Sequence, residues 1–178
     1  MKNIYNRCKI SFCLQAVKLC EKAKETLQIP NAGGNSEYSE AVSISLFRSI
    51  GYYSFVLENQ VKYCLHSKMI DFVSYYKTKR VGVSVTRLFG FPGYRNIPFE
   101  EVNRLLRKKI YGLVVARNCV AKYHRFINCV LHIFTPSIDA ALVAYHLFPQ
   151  LMQEYDTGNK VYLLVTVTCD SSVYTNNY

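Results

Sequence analysis

Alternation with a period of two dominates the middle of the chain. Across residues 68–91, Val81, Val83 and Val85 alternate with Gly82, Ser84 and Thr86. An apolar run, Met69, Ile70, Phe72 and Val73, precedes them, and Lys77, Lys79 and Arg80 lie between. Positions on one face of a strand recur every second residue, so the pattern predicts a β-hairpin with a basic turn. Residues 53–65 alternate in the same way, Phe55, Leu57, Val61, Tyr63 and Leu65 against Glu58, Gln60, Lys62 and Cys64, which predicts a strand with one wet face. Short continuous apolar runs at 113–116 and 129–134 predict strands covered on both faces, and Val161–Thr168 a last strand.

Helical spacing appears elsewhere. Ile10, Cys13, Leu14, Val17 and Cys20 predict a helix over 9–28 that ends before Pro30, and the segment 30–36, PNAGGNS, reads as a break. Ser36 is a suitable N-cap for a second helix, with Glu37 and Glu40 in its first turn and Ala41, Ile44 and Phe47 leading to a stop at Gly51. After a loop spanning 90–98, Pro98 opens a helix with Phe99, Val102, Leu105, Leu106 and Ile110 inward and Arg104, Arg107 and Lys108 outward. A further helix spans 137–155, a turn occupies 156–159, and the polar tail reads as fraying. The layout predicted is an N-terminal helical extension (1–32), one α/β core domain (33–170) and a flexible tail (171–178).

Composition narrows the class. With 178 residues, half of them hydrophobic, the chain is long enough for one domain with a real core. Its formal charge is +10, and residues 99–125 carry seven basic side chains against Glu100 and Glu101. That excess suits a polyanionic partner, nucleic acid above all, and equally a solvated basic face; tyrosines such as Tyr111 and Tyr123 would add stacking surface. Seven scattered cysteines without a C-x-x-C pair, and four histidines outside any metal-ligand spacing, indicate reduced, mostly packed thiols in an intracellular protein, nuclear or cytoplasmic. The cationic first twenty residues weakly resemble a mitochondrial presequence, but an amphipathic helix packed on the domain is the simpler reading. No apolar run reaches membrane-spanning length, and the glycine patterns of nucleotide-phosphate loops and esterase elbows are absent.

Asp71 stands out as a lone carboxylate between Met69, Ile70, Phe72 and Val73. Such a group loses solvation unless it joins an ion pair, accepts hydrogen bonds or binds a cation. Pairing with Lys79 or Arg80 across the hairpin is one outcome. The order of elements offers another: a helix, a three-stranded meander, a basic helix and a buried strand, which resembles the core of the PD-(D/E)XK restriction-endonuclease-like nucleases. The resemblance covers about residues 36–120. It implies a mixed α/β sheet with added helix and strands, and a magnesium or manganese site for phosphodiester hydrolysis. Carried over by position, Glu37 or Glu40 is the helix acid and Asp71 the strand aspartate. These three are the implied metal ligands, and Ser84 and Thr86 stand where the family has an acid and a lysine. A lysine from elsewhere, Lys62 or Lys68, would restore the missing charge. The implied nucleic-acid contacts are Lys79, Arg80, Arg87, Arg104, Arg107 and Lys108. The same resemblance without the third-strand acid and lysine implies an inactive scaffold that binds nucleic acid, a protein partner or a second copy. The segments GVSVTR (82–87), NSEYSE (35–40) and LLRKKIYG (105–112) also resemble a eukaryotic family that implies no activity.

Overall fold

A computed structural model describes residues 7–13, 17–28, 36–65, 68–90, 97–155, 158 and 160–175. Six strands, β1 (Cys8–Cys13), β2 (Tyr52–Leu57), β3 (Phe72–Tyr76), β4 (Lys79–Arg87), β5 (Asn128–Thr135) and β6 (Val161–Thr168), form one mixed sheet in the order β1-β6-β5-β4-β3-β2. Five helices accompany them among the described residues: α1 (Glu21–Gln28), α2 (Glu37–Ser49), α3 (Phe99–Cys119), α4 (Ile138–Glu154) and α5 (Ser172–Thr175). β2, β3 and β4 form an antiparallel meander, whereas β4, β5, β6 and β1 run parallel. Parallel neighbours need a crossover, and α3 and α4 supply the two that join β4 to β5 and β5 to β6.

The helices cover the two faces unequally. Val102, Leu106, Ile110 and Leu113 of α3 and Ala144, Phe148 and Leu151 of α4 pack with Leu131, Ile133, Leu163 and Val165. On the opposite face the shorter α2 sets Ile44 and Phe47 against Val81, Val83, Val85 and Phe134. The alternation seen in β4 thus separates the layers: its valines meet α2, and Gly82 faces the other way, where a Cβ would come within 2.5 Å of the buried Phe126 ring. Only glycine lets that ring lie on the strand.

The hairpin, the helix after Ser36, the helix after Pro98 and the last strand fall where the pattern placed them. Five expectations are corrected. Residues 8–13, read as the start of a helix, are the edge strand of the sheet, paired in parallel with β6, so the N-terminal part is no separate helical extension. Its apolar residues satisfy either period, and long-range pairing decides. Residues 113–116, read as a strand, continue α3, since a four-residue apolar run fits a buried helix equally well. The strand predicted over 53–65 ends at Leu57, and a 3-10 turn follows. The tail read as fraying from 170 holds α5, whose Val173 is buried. Phe99, expected inward, is exposed. The break at 30–35, the loop at 91–96 and most of the turn at 156–159 lie outside the described residues.

Candidate active site

Asp71 sits one residue before β3 rather than within it, and is tied to β4 at two points. Its N–H donates to the Val83 carbonyl (3.0 Å), and its Oδ2 accepts from the Val85 N–H (2.6 Å). The side chain therefore lies beside β4, where Ser84 favours its charged form. Arg80, by contrast, pairs with Tyr75 in register and binds the Tyr75 hydroxyl and the Tyr123 carbonyl, while Lys79 is opposite Tyr76 at the far end of the hairpin. The cross-hairpin ion pair is thus replaced by backbone hydrogen bonds.

Of the two helix acids, Glu40 faces Asp71. It is buried in the first turn of α2, where Ser36 Oγ donates to its Oε1 (2.6 Å) and the Asp71 charge acts on its carboxyl. Ser36 thus spends its hydroxyl on Glu40 and makes no side-chain cap. Glu37, three residues earlier, is half-buried and takes no part in this contact. Burial first, and the neighbouring Asp71 second, push Glu40 up to about 8. Asp71 is raised too, chiefly by burial, but the Lys109 ammonium, the Val85 N–H, Ser84 and Glu40 all favour its charged form. Burial and the neighbouring Asp71 favour the protonated form of Glu40, whereas Lys109, the Val85 N–H and Ser84 draw Asp71 toward its charged form.

Two members of this cluster escaped the sequence reading. Lys109 of α3 reaches the sheet, donating its Nζ to the Val85 carbonyl (3.2 Å), and its charge acts on both Asp71 and Glu58. Its signal is visible in retrospect: Lys109 follows Val102 by seven residues and Leu106 by three, and precedes Leu113 by four, so it lies on the buried stripe of its helix. Glu58, just after β2, is half-buried and raised first by burial and then by Asp71. Its place on a presumed wet face hid it. Lys62 and Lys68, the expected substitutes for the missing lysine, are exposed, and it is Lys109 whose charge acts on Asp71. Thr86 is half-buried and makes no contact with the acids, whereas Ser84 does.

The predicted basic contacts do not form one surface. Lys79 and Arg80 begin β4 and Arg87 ends it, roughly 25 Å along the strand. Arg87 donates to the Tyr174 carbonyl of α5 (3.1 Å); burial disfavours its charge and Glu40 favours it. Arg104 pairs with Glu101 (2.6 Å) and Arg107 with Glu154 (2.5 Å), while Lys108 is exposed.

Three acids, Glu40, Asp71 and Glu58, with Ser84 and the Lys109 ammonium, therefore act on one another around the start of β3 and the end of β4. Among the described residues no three His, Cys, Asp or Glu side chains converge as ligands of one ion, so a metal here would rest on Glu40 and Asp71. Hard oxygen donors in a pair fit magnesium, which needs one or two carboxylates and fills its other positions with water or substrate oxygens. No helix among the described residues is long and apolar enough to cross a membrane. No family model matches the chain, and no solved structure matches it. The chain is 27% identical over 126 residues to the AAC-rich mRNA clone AAC4 protein of Dictyostelium discoideum, a match that covers 67% of this chain and 18% of that protein, so it spans less than a fifth of its relative's length.

Proposed function

We propose that the protein acts on nucleic acid through a restriction-endonuclease-like core, as a divalent-metal-dependent phosphodiesterase centred on Glu40, Asp71 and Lys109. The observation that carries this is the meeting of Glu40 with Asp71 beside β4 while Lys109 reaches the same strand from α3. Two adjacent buried carboxyls, each disfavoured as a charge by its burial, form a site that a cation would stabilise. The sheet order and the helix before the meander support the same reading.

Magnesium or manganese, when bound, would supply positive charge against a phosphodiester oxygen. The chain's own parts divide the rest. Asp71, fixed by the Val85 N–H, and Glu40, fixed by Ser36, hold the cation. Lys109, anchored on the Val85 carbonyl, offers an ammonium at the position that Thr86 leaves empty of charge, and Arg87 adds a second cation for the substrate backbone. The test uses labelled single- and double-stranded DNA and RNA with magnesium or manganese. Cleavage by the full chain that falls by about a hundredfold or more in both Asp71→Ala and Lys109→Ala supports the proposal. Cleavage that survives Asp71→Ala overturns it.

One observation favours a second reading. Ser84 stands at the third-strand position with no carboxylate, which weakens any cation site there. A scaffold that binds nucleic acid without cutting it predicts no cleavage in any metal, together with binding that weakens steeply as salt rises.

A further inference from the structure

α2 ends at Ser49, before it reaches the starts of the parallel strands on its side of the sheet. Beyond its end, Val81, Val130 and Leu164 line a cavity of about 510 Å³, within the size range of small-ligand sites. It lies at the opposite end of β4 from Val85 and stands apart from the acid pair.

The walls combine two chemistries. Tyr52 and Tyr76 stack with ring centroids 4.7 Å apart, and Tyr162 comes near enough to Tyr52 to disfavour its ionisation. Tyr76 and Tyr162 remain 41% and 37% exposed and Ile50 55%, and Lys77 stands over the Tyr76 ring and Arg7 over the Tyr162 ring, so aromatic and cationic groups share the opening. Lys77 and Lys79, on the β3–β4 hairpin, and Lys9, on β1, stand around the rim, and no acid lines the cavity among the described residues. None of these three lysines makes a salt bridge among the described residues. The hairpin is held in place: its loop is two residues long, Lys77 adopts φ +54°, and the Tyr53 hydroxyl donates to the Lys77 carbonyl. A non-glycine residue in the left-handed region is disfavoured, so a specific contact that keeps this turn fixes where its lysines point.

We propose that this cavity binds an aromatic phosphomonoester of mononucleotide size, its ring against Tyr76, Tyr162 and Ile50 and its phosphate among Lys9, Lys77 and Lys79. Three ammonium groups from two separate elements match a dianion with several oxygens, whereas a single carboxylate would leave cations unmatched. Ring walls with polar tips suit a base that is apolar on its faces and polar at its edge.

The test is calorimetric titration of the full chain with adenosine 5′-monophosphate, adenosine, inorganic phosphate and dodecyl phosphate. The monophosphate is expected to bind about tenfold more tightly than adenosine or phosphate alone. The double variant Lys77→Glu with Lys79→Glu is expected to weaken it by at least about tenfold at unchanged thermal stability, and the remote Lys122→Glu to leave it unchanged. Absence of monophosphate binding, binding indifferent to the hairpin lysines, or tighter binding of dodecyl phosphate overturns the proposal. None of these outcomes depends on Asp71, so the nuclease reading stands or falls separately.

Discussion

Glu40 and Ser43 stand one turn apart on α2, both buried, and they meet opposite polar environments. Ser43 Oγ bonds His132 Nδ1 (2.8 Å), and His132 Nε2 bonds Thr166 Oγ1 (2.8 Å), which in turn meets Ser11 Oγ (3.0 Å). This chain runs from α2 across β5 and β6 to β1, and every member is neutral, because burial pushes His132 down to about 3. Glu40 meets a second carboxylate instead, and burial pushes it up to about 8. Hydroxyls and imidazole complete one another, which makes the first network a fastener. Two carboxyls disfavour each other's charge, so the second network depends on a proton and on the Lys109 ammonium where the first depends on neither. One network is neutral and indifferent to pH near 7, and the other is titratable.

The largest effect expected from breaking this contrast is on stability. His132→Ala removes the hub of the neutral network, leaves Ser43 and Thr166 without their shared partner and opens a cavity beside Phe47 and Phe134. Losses of buried hydrogen-bond partners and of core volume together predict about 4 kcal/mol of destabilisation, read as a shift in the urea midpoint. A shift below about 1 kcal/mol would show that the network fastens nothing.

Next in size is the pH dependence. His132 has a depressed folded pKa, so its contribution is full above its ordinary value of 6.5 and is lost as pH falls toward about 3. Glu40 has a raised folded pKa, so its contribution is full below its ordinary value of 4.5 and is lost as pH rises through about 8. The two impose opposite arms on the stability profile. Glu40→Gln keeps the size and removes the titration, and it should flatten the arm between pH 4.5 and 8. One proton changes stability by at most about 1.4 kcal/mol per pH unit, which bounds the slope that disappears. Denaturant melts from pH 4 to 9 measure it; an unchanged alkaline slope would place the titrating group elsewhere.

Asp71 was legible in sequence because a carboxylate in an apolar run has few physical excuses, and the order of elements pointed to a glutamate on the next helix upstream. The strands of the hairpin and α4 were legible because their periods are unambiguous. What was hidden depended on partners far away in the chain. β1 became a strand only because β6, more than 150 residues later, pairs with it. Lys109 looked like part of a basic run, and its service to Asp71 depends on which side of α3 meets the sheet. The His132 network joins four elements, and no local pattern in any one of them announces it.

The smallest stability effect, and the sharpest probe of the charged network, is expected from Lys109→Met. Methionine keeps most of the aliphatic length on the stripe shared with Leu106 and Leu113, and the lost bond to the Val85 carbonyl contributes about 1 kcal/mol or less. The electrostatic change is larger in kind, since Lys109 is the cation that holds Asp71 and Glu58 toward their charged forms. Without it, Asp71 should titrate at higher pH in a carboxyl-detected NMR experiment, and Glu58 should move the same way. The His132 ring, joined to other hydroxyls, should show no change. If Asp71 kept its titration, the lysine would be a structural tether to β4 alone, and the acid pair would lose the charge that distinguishes it from the neutral network one turn along α2.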